Sequence, residues 1–288
     1  MTPRDLLVDS FRAALTAADP LVIVPSHLPE PPQGRTLVVG AGKAAASMAK
    51  AVEDHWPAGK SLEGLVITRY AQGYSGNEAL KRIRVIEAGH PVPDQAGEQA
   101  AKEIFAKARS LFEHDLLLVL VSGGGSSLLA LPAEGIPMAD LKTVTRDLLA
   151  CGAPIQEMNI VRKHISLIQG GRLAALTKAK VSALIISDVT GDDPSAIASG
   201  PTAPDESTYQ DALDILHSYR LTPPFVHRPA PFQRRARRNC GNPETGRCRV
   251  CARGQSRHRD RPRQPVDGGR LFPATRHHPD DSWRQRHR

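Results

Sequence analysis

Six consecutive apolar residues, LLLVLV at 116–121, run directly into SGGGSS at 122–127. The run is far shorter than the roughly 20 residues needed to cross a bilayer. Being apolar at every position, it cannot be a strand with one wet face, so it predicts a strand buried on both sides of a parallel sheet. Similar short runs stand at 36–39, 65–68, 83–87 and 183–187. Helical spacing lies between and around them, at 3–19 (an amphipathic first helix), 44–53, 95–112, 139–150 and 160–175. Strands alternating with helices predict an α/β fold with a doubly wound, mostly parallel sheet.

In such a sheet ligands bind beyond the carboxyl ends of the strands, so the residues leaving each strand carry the chemistry. Four of the five exits are loaded: Gly40-Ala41-Gly42-Lys43, Gly89-His90-Pro91, Ser122-Gly123-Gly124-Gly125-Ser126-Ser127, and Asp188 with Asp192 and Asp193. The first fits G-x-G-x-x-A at a strand-to-helix turn, which suits either a pyrophosphate or a plain tight turn. Lys43 favours an anionic partner, because a cation at the start of a helix opposes the helix dipole. A dinucleotide would want an acid at the end of the second strand. Arg69 stands there instead, which disfavours NAD and leaves NADP the weaker case.

The triple glycine between serines can converge its amides on a phosphate. Three carboxylates within six residues suit Mg²⁺ carrying a nucleotide's phosphates, or equally the capping of a turn. Asn159, Arg162, Lys163 and His164 could contact an anion or form a solvated basic face, and His90 could be an acid, a base or a loop residue. A serine hydrolase is disfavoured, since there is no G-x-S-x-G elbow and no assignable histidine for Ser126.

Charge divides the chain at Pro224. Residues 1–224 hold 21 basic and 25 acidic side chains, whereas 225–288 hold 17 and 5, so the net +8 arises wholly in the last 64 residues. Apolar residues number 101 in the first part and 15 in the second, so only the first can build an ordinary core. The tail has no Lys, no Ile and 17 Arg, the composition of GC-rich coding sequence read in a shifted frame. Its Cys240, Cys248, Cys251 and His258 are poorly spaced for zinc, and its Arg runs lack the aromatics of an RNA-binding arm. The expected division is therefore a domain at 1–224 and an irregular, disordered or non-native tail at 225–288. The N-terminus lacks a secretory apolar segment and cysteines are few, so a cytoplasmic location is expected.

Read together, VVGAGKAA (38–45), EAGHPVPDQAG (87–97), LVSGGGSSLL (120–129), MNIVRKHISLIQGGRLA (158–174) and SDVTGDDPSAIASGPT (187–202) resemble the bacterial glycerate 2-kinase family. Members from tartrate-utilisation clusters are also named hydroxypyruvate reductases. The resemblance covers nearly all of residues 1–222 and departs after Pro224, where a smaller second domain should follow. It implies a Rossmann-like domain, with ATP, Mg²⁺ and glycerate meeting in a cleft and glycerate becoming 2-phosphoglycerate. Carried over by motif, Lys43, Arg162 and Asp188 are the catalytic expectation, and His90 and Asn159 the substrate-binding one. Gly40, Gly42, Ser122, Gly123, Gly124, Gly125, Ser126 and Ser127 would hold the nucleotide, and Asp188 and Asp192 the metal. The alternatives are an NAD(P)H-dependent hydroxypyruvate reductase and an inactive nucleotide-binding remnant. The implied partner is a small-molecule substrate, with no membrane and no nucleic acid; a homodimer is left open.

Overall fold

The computed structural model describes residues 2–74 and 79–223. Its sheet contains β1 (Thr36–Ala41), β2 (Glu63–Arg69), β3 (Ile83–Ala88), β4 (Leu116–Ser122) and β5 (Lys180–Ile186), in the order β3-β2-β1-β4-β5. Every neighbouring pair is parallel. All five strands fall on the apolar runs. Helices α1 (Pro3–Ala17), α2 (Pro20–Ile23), α3 (Ala45–His55), α4 (Gln95–Arg109), α5 (Gly125–Leu128), α6 (Met138–Ala150), α7 (Ile155–His164), α8 (Arg172–Ala175) and α9 (Tyr209–Ser218) complete the described elements, with short 3-10 turns at Pro25–His27 and Ile197–Ser199.

Successive side chains of a strand point to opposite faces, and here both faces are covered. Leu117, Val119 and Val121 of β4 join Val39 and Leu65 against Ala101, Ile104 and Ala108 of α4. Leu116, Leu118 and Leu120 join Val38 and Val66 against Met48, Ala49 and Val52 of α3. That arrangement is why no residue of 116–121 is polar: β4 has no wet face. A third cluster, with Leu148, Val161, Tyr209 and Leu216, packs α6, α7 and α9 together.

The expected single helix over 160–175 is two helices, α7 and α8. Gly170 (φ 63°) and Gly171 (φ 75°) take the left-handed backbone that breaks the helical run. Ser166 Oγ accepts from the amides of Ile168 and Gln169 at the corner, giving backbone groups the partners a continuous helix would have supplied. Helix α9 was not anticipated, although Thr208 and Asp211 form a capping box at its start. The first helix forms behind its own capping box of Thr2 and Asp5, but its apolar stripe is not covered, with Leu7 71% and Phe11 65% exposed. Among the described residues no helix is long and apolar enough to cross a membrane. The zinc and RNA readings of the tail lie outside the described residues.

Candidate active site

The chain runs β1, β2, β3 toward one edge of the sheet, then returns to place β4 and β5 on the other side of β1. The direction of winding therefore reverses between β1 and β4, where a doubly wound sheet opens its crevice. Ala41 is in register with Val121, so the two glycine-rich exits leave the sheet side by side. They are stitched together: the Lys43 amide donates to the Gly123 carbonyl (2.9 Å) and the Ala44 amide to Ser122 Oγ (3.0 Å). A Cβ on Gly42 would lie 2.1 Å from Ser122 Oγ, so only glycine permits the approach.

The other loaded exits come to the same place. A Cβ on Gly123 would lie 1.9 Å from Asp188 Oδ2, and one on Gly124 would lie 2.8 Å from His90 Nε2 and 3.5 Å from Lys43 Cε. Lys43, His90, the triple glycine and Asp188, which leave four different strands, thus form one constellation. Burial pushes the His90 imidazole below its ordinary value, and the charges of Lys43 and Arg69 push it the same way, while Asp188 opposes them. His90 is therefore neutral at pH 7, with a ring nitrogen able to accept a proton.

Asp94 fixes the loop that carries His90. Its Oδ1 accepts from the Gly97 amide at the start of α4 and its Oδ2 from the Tyr70 hydroxyl (2.7 Å). Burial raises the Asp94 pKa, but these hydrogen bonds outweigh it and hold the carboxyl below its usual range. Neither Tyr70 nor Asp94 was singled out in the sequence, since a capping aspartate and a distant tyrosine carry no signal of their pairing.

The serine hydroxyls of the glycine loop brace it. Ser122 Oγ accepts from Ala44, Ser127 Oγ donates to the Gly124 carbonyl, and Ser126 Oγ meets Ser199 Oγ at 2.9 Å. The loop's unused donors are main-chain ones: among the described residues the amides of Gly124, Gly125 and Ser126 have no protein acceptor. The expectation placed hydroxyls at both ends of the loop on phosphate; in this structure those hydroxyls bond within the protein and the loop's open donors are its amides.

Asn159, expected at the substrate, also bonds within the protein. It is buried, Oδ1 accepts from Ser199 Oγ (3.0 Å) and Nδ2 donates to the Ala196 carbonyl (3.3 Å), so both ends of its amide are engaged within the protein. A chain Asn159–Ser199–Ser126 thereby ties α7 and the turn after β5 to the glycine loop. Ser199 (φ 57°) and Ala198 (φ 51°) hold left-handed backbone that side-chain-bearing residues rarely adopt. Gln169, also buried, donates from Nε2 to the Ser126 carbonyl (2.8 Å). Ser199 and Gln169 were missed because their roles depend on contacts 73 and 43 residues away.

Arg162 lines a narrow cavity with Pro91, Ser126, Ser127, Thr145 and Ser166, adjoining the constellation. Lys163 is instead buried in an ion pair with Asp205 (3.4 Å). His164 is buried edge-on against Tyr209. The three carboxylates after β5 do not gather: Asp188 faces Gly123, while Asp193 binds the Ser195 amide and hydroxyl. Asp192 is exposed at φ 53°. Among the described residues no group of three or more His, Cys, Asp or Glu side chains is placed to hold a metal.

The fold and site define a doubly wound α/β protein with a glycine-lined crevice at the reversal of its sheet. Within that class the chain belongs to the family described as Domain of unknown function (DUF4147), whose pattern matches residues 6–228. A protein of Agrobacterium vitis that carries the provisional name hydroxypyruvate reductase is 49% identical over 225 residues, 78% of this chain and 50% of that one. Glycerate 2-kinase of Pyrococcus horikoshii is 46% identical over 216 residues, 74% of this chain and 47% of that one. The crystal structure of glycerate kinase from Thermotoga maritima superposes with a TM-score of 0.68 at 38% identity, over 76% of this chain and 52% of that chain. The chain spans about half the length of these relatives.

Proposed function

We propose that this chain carries the nucleotide and hydroxy-acid site of a glycerate 2-kinase, transferring phosphate from ATP to the 2-hydroxyl of glycerate. The observation that supports it most is the meeting of Lys43, His90, Gly124 and Asp188 at the reversal point of the sheet. Phosphoryl transfer needs donors around the phosphates, a cation over the transferred group and an acceptor for the hydroxyl proton. The free amides of Gly124, Gly125 and Ser126 would hold phosphate oxygens. Lys43, exposed and without an ion pair among the described residues, would stabilise the charge on the transferred group. Neutral His90 would take the hydroxyl proton at Nε2.

Mg²⁺ fits this site as an ion brought in by the phosphates, because such an ion needs only one or two protein carboxylates. Asp188, whose carboxylate has no hydrogen-bond donor among the described residues, would hold it, with exposed Asp192 on the same loop as the other ligand. When bound, Mg²⁺ would neutralise phosphate charge.

The hydroxypyruvate reductase name of the Agrobacterium relative supplies the second reading. Arg69 at the end of β2, where a dinucleotide site has its acid, counts against it. One coupled assay separates the two. The kinase reading expects ADP release that depends on glycerate. Oxidation of NAD(P)H dependent on hydroxypyruvate, without such ADP release, would replace it with the reductase, and neither activity would leave a binding remnant.

A further inference from the structure

Arg162, on α7, reaches the cavity beside the glycine loop without a partner. Its guanidinium makes no hydrogen bond and no ion pair among the described residues. Burial alone holds its pKa below the ordinary guanidinium value, with no carboxylate acting in the other direction. A cation so placed is costly unless something anionic meets it.

Two hydroxyls share the cavity. Thr145 is 4% exposed, and its Oγ1 is buried with no hydrogen-bond partner. Ser166 is also buried, and although its Oγ accepts from two amides, its own proton is not donated to any described acceptor. Native proteins rarely leave buried polar groups unmatched, and an unpartnered Thr145 hydroxyl beside an unpaired guanidinium and the undonated Ser166 proton points to a ligand that accepts from them.

We propose that this cavity is the subsite for the carboxylate of the phosphoryl acceptor, gripped by Arg162 with Thr145 and Ser166 donating to it. The inference rests on the kinase reading above and adds which end of the substrate lies where. A carboxylate fits better than a second phosphate. The cavity is narrow, and its other walls include the apolar Pro91, Pro93 and Leu141. A planar carboxylate can place one oxygen there and meet a planar guanidinium. The transferred phosphate already has donors in the loop amides and Lys43, which leaves this cavity to the acceptor's own anionic group. The acceptor is then recognised as a hydroxy acid, and a polyol of the same length leaves the three donors unmatched.

The test is calorimetric titration of the full 288-residue chain, without nucleotide, with D-glycerate, glycerol and inorganic phosphate. Saturable glycerate binding is expected, with glycerol at least about tenfold weaker. Arg162→Gln is expected to weaken glycerate about 10- to 100-fold and Thr145→Val about 3- to 10-fold. The ligand-free melting temperature of Arg162→Gln should be unchanged or higher, because an unpaired, half-buried charge is removed. A merely structural arginine would instead lower it.

Absence of glycerate binding to the unaltered chain would overturn the proposal. So would unchanged binding by Arg162→Gln, or displacement of glycerate by equimolar phosphate. Because nucleotide is absent, these results stand apart from the kinase reading. Glycerate-dependent ADP release with an unaltered KM in Arg162→Gln would sink the subsite and leave that reading intact.

Discussion

A methyl group is the smallest change that tests the crevice. Gly123→Ala would set a Cβ 1.9 Å from Asp188 Oδ2 and force the carboxylate aside. Because Asp188 is exposed and its side chain can swing away, the expected result is loss of turnover with little change in the denaturant midpoint. Gly59→Ala meets nothing within 4 Å and carries only the strain of φ 80°, so it should keep full turnover. A second residue-scale prediction concerns His164. Burial lowers its pKa below 6.5, so the unfolded chain binds the proton more readily than the folded one. Stability should then be lost as pH falls below 6.5 and retained above it. Melting temperatures from pH 7.5 to 4.5 should show an acid limb that flattens in His164→Asn; an unchanged limb would remove His164 as its cause.

At the scale of elements, what was legible in the sequence is what depends on neighbours along the chain. The central strands were readable because their residues are apolar on both faces, as in Leu116 to Val121 of β4, and the edge strands β3 and β5 because short apolar runs remain among their polar residues. The strand exits were readable because glycines, His90 and Asp188 stand immediately after those runs. The break between α7 and α8 was not, although Gly170-Gly171 marked it, since the helical spacing continues across the pair. The roles of the serines and Asn159 were hidden for a different reason. A hydroxyl beside glycines suits phosphate or brace equally, and only the packing of 187–202 onto the loop decides it. From that packing follows a prediction for the Asn159–Ser199–Ser126 chain. Asn159→Ala should lower stability by about 1–3 kcal/mol, because Ser199 Oγ and the Ala196 carbonyl lose a buried partner. Hydrogen exchange should rise in residues 123–128 as well as in 196–200; a rise confined to α7 would show that the chain does not hold the loop.

For the whole molecule, two independent boundaries nearly coincide. Composition changes at Pro224, and the family match ends at residue 228. We propose that residues 225–288 arise from a shifted reading frame. Truncation after Pro224 should then change the melting temperature by less than about 2 °C, and the coding DNA at Pro223–Val226 should show a gained or lost base. The net +8 is the sum of −4 over residues 1–224 and +12 over residues 225–288. The central claim is that the strand exits meet to transfer a phosphoryl group, and glycerate-dependent ADP release by Lys43→Ala, measured beside ATP binding, tests it most directly. Loss of at least about 100-fold in turnover with ATP still bound is the expected result. Full turnover in Lys43→Ala would contradict the account.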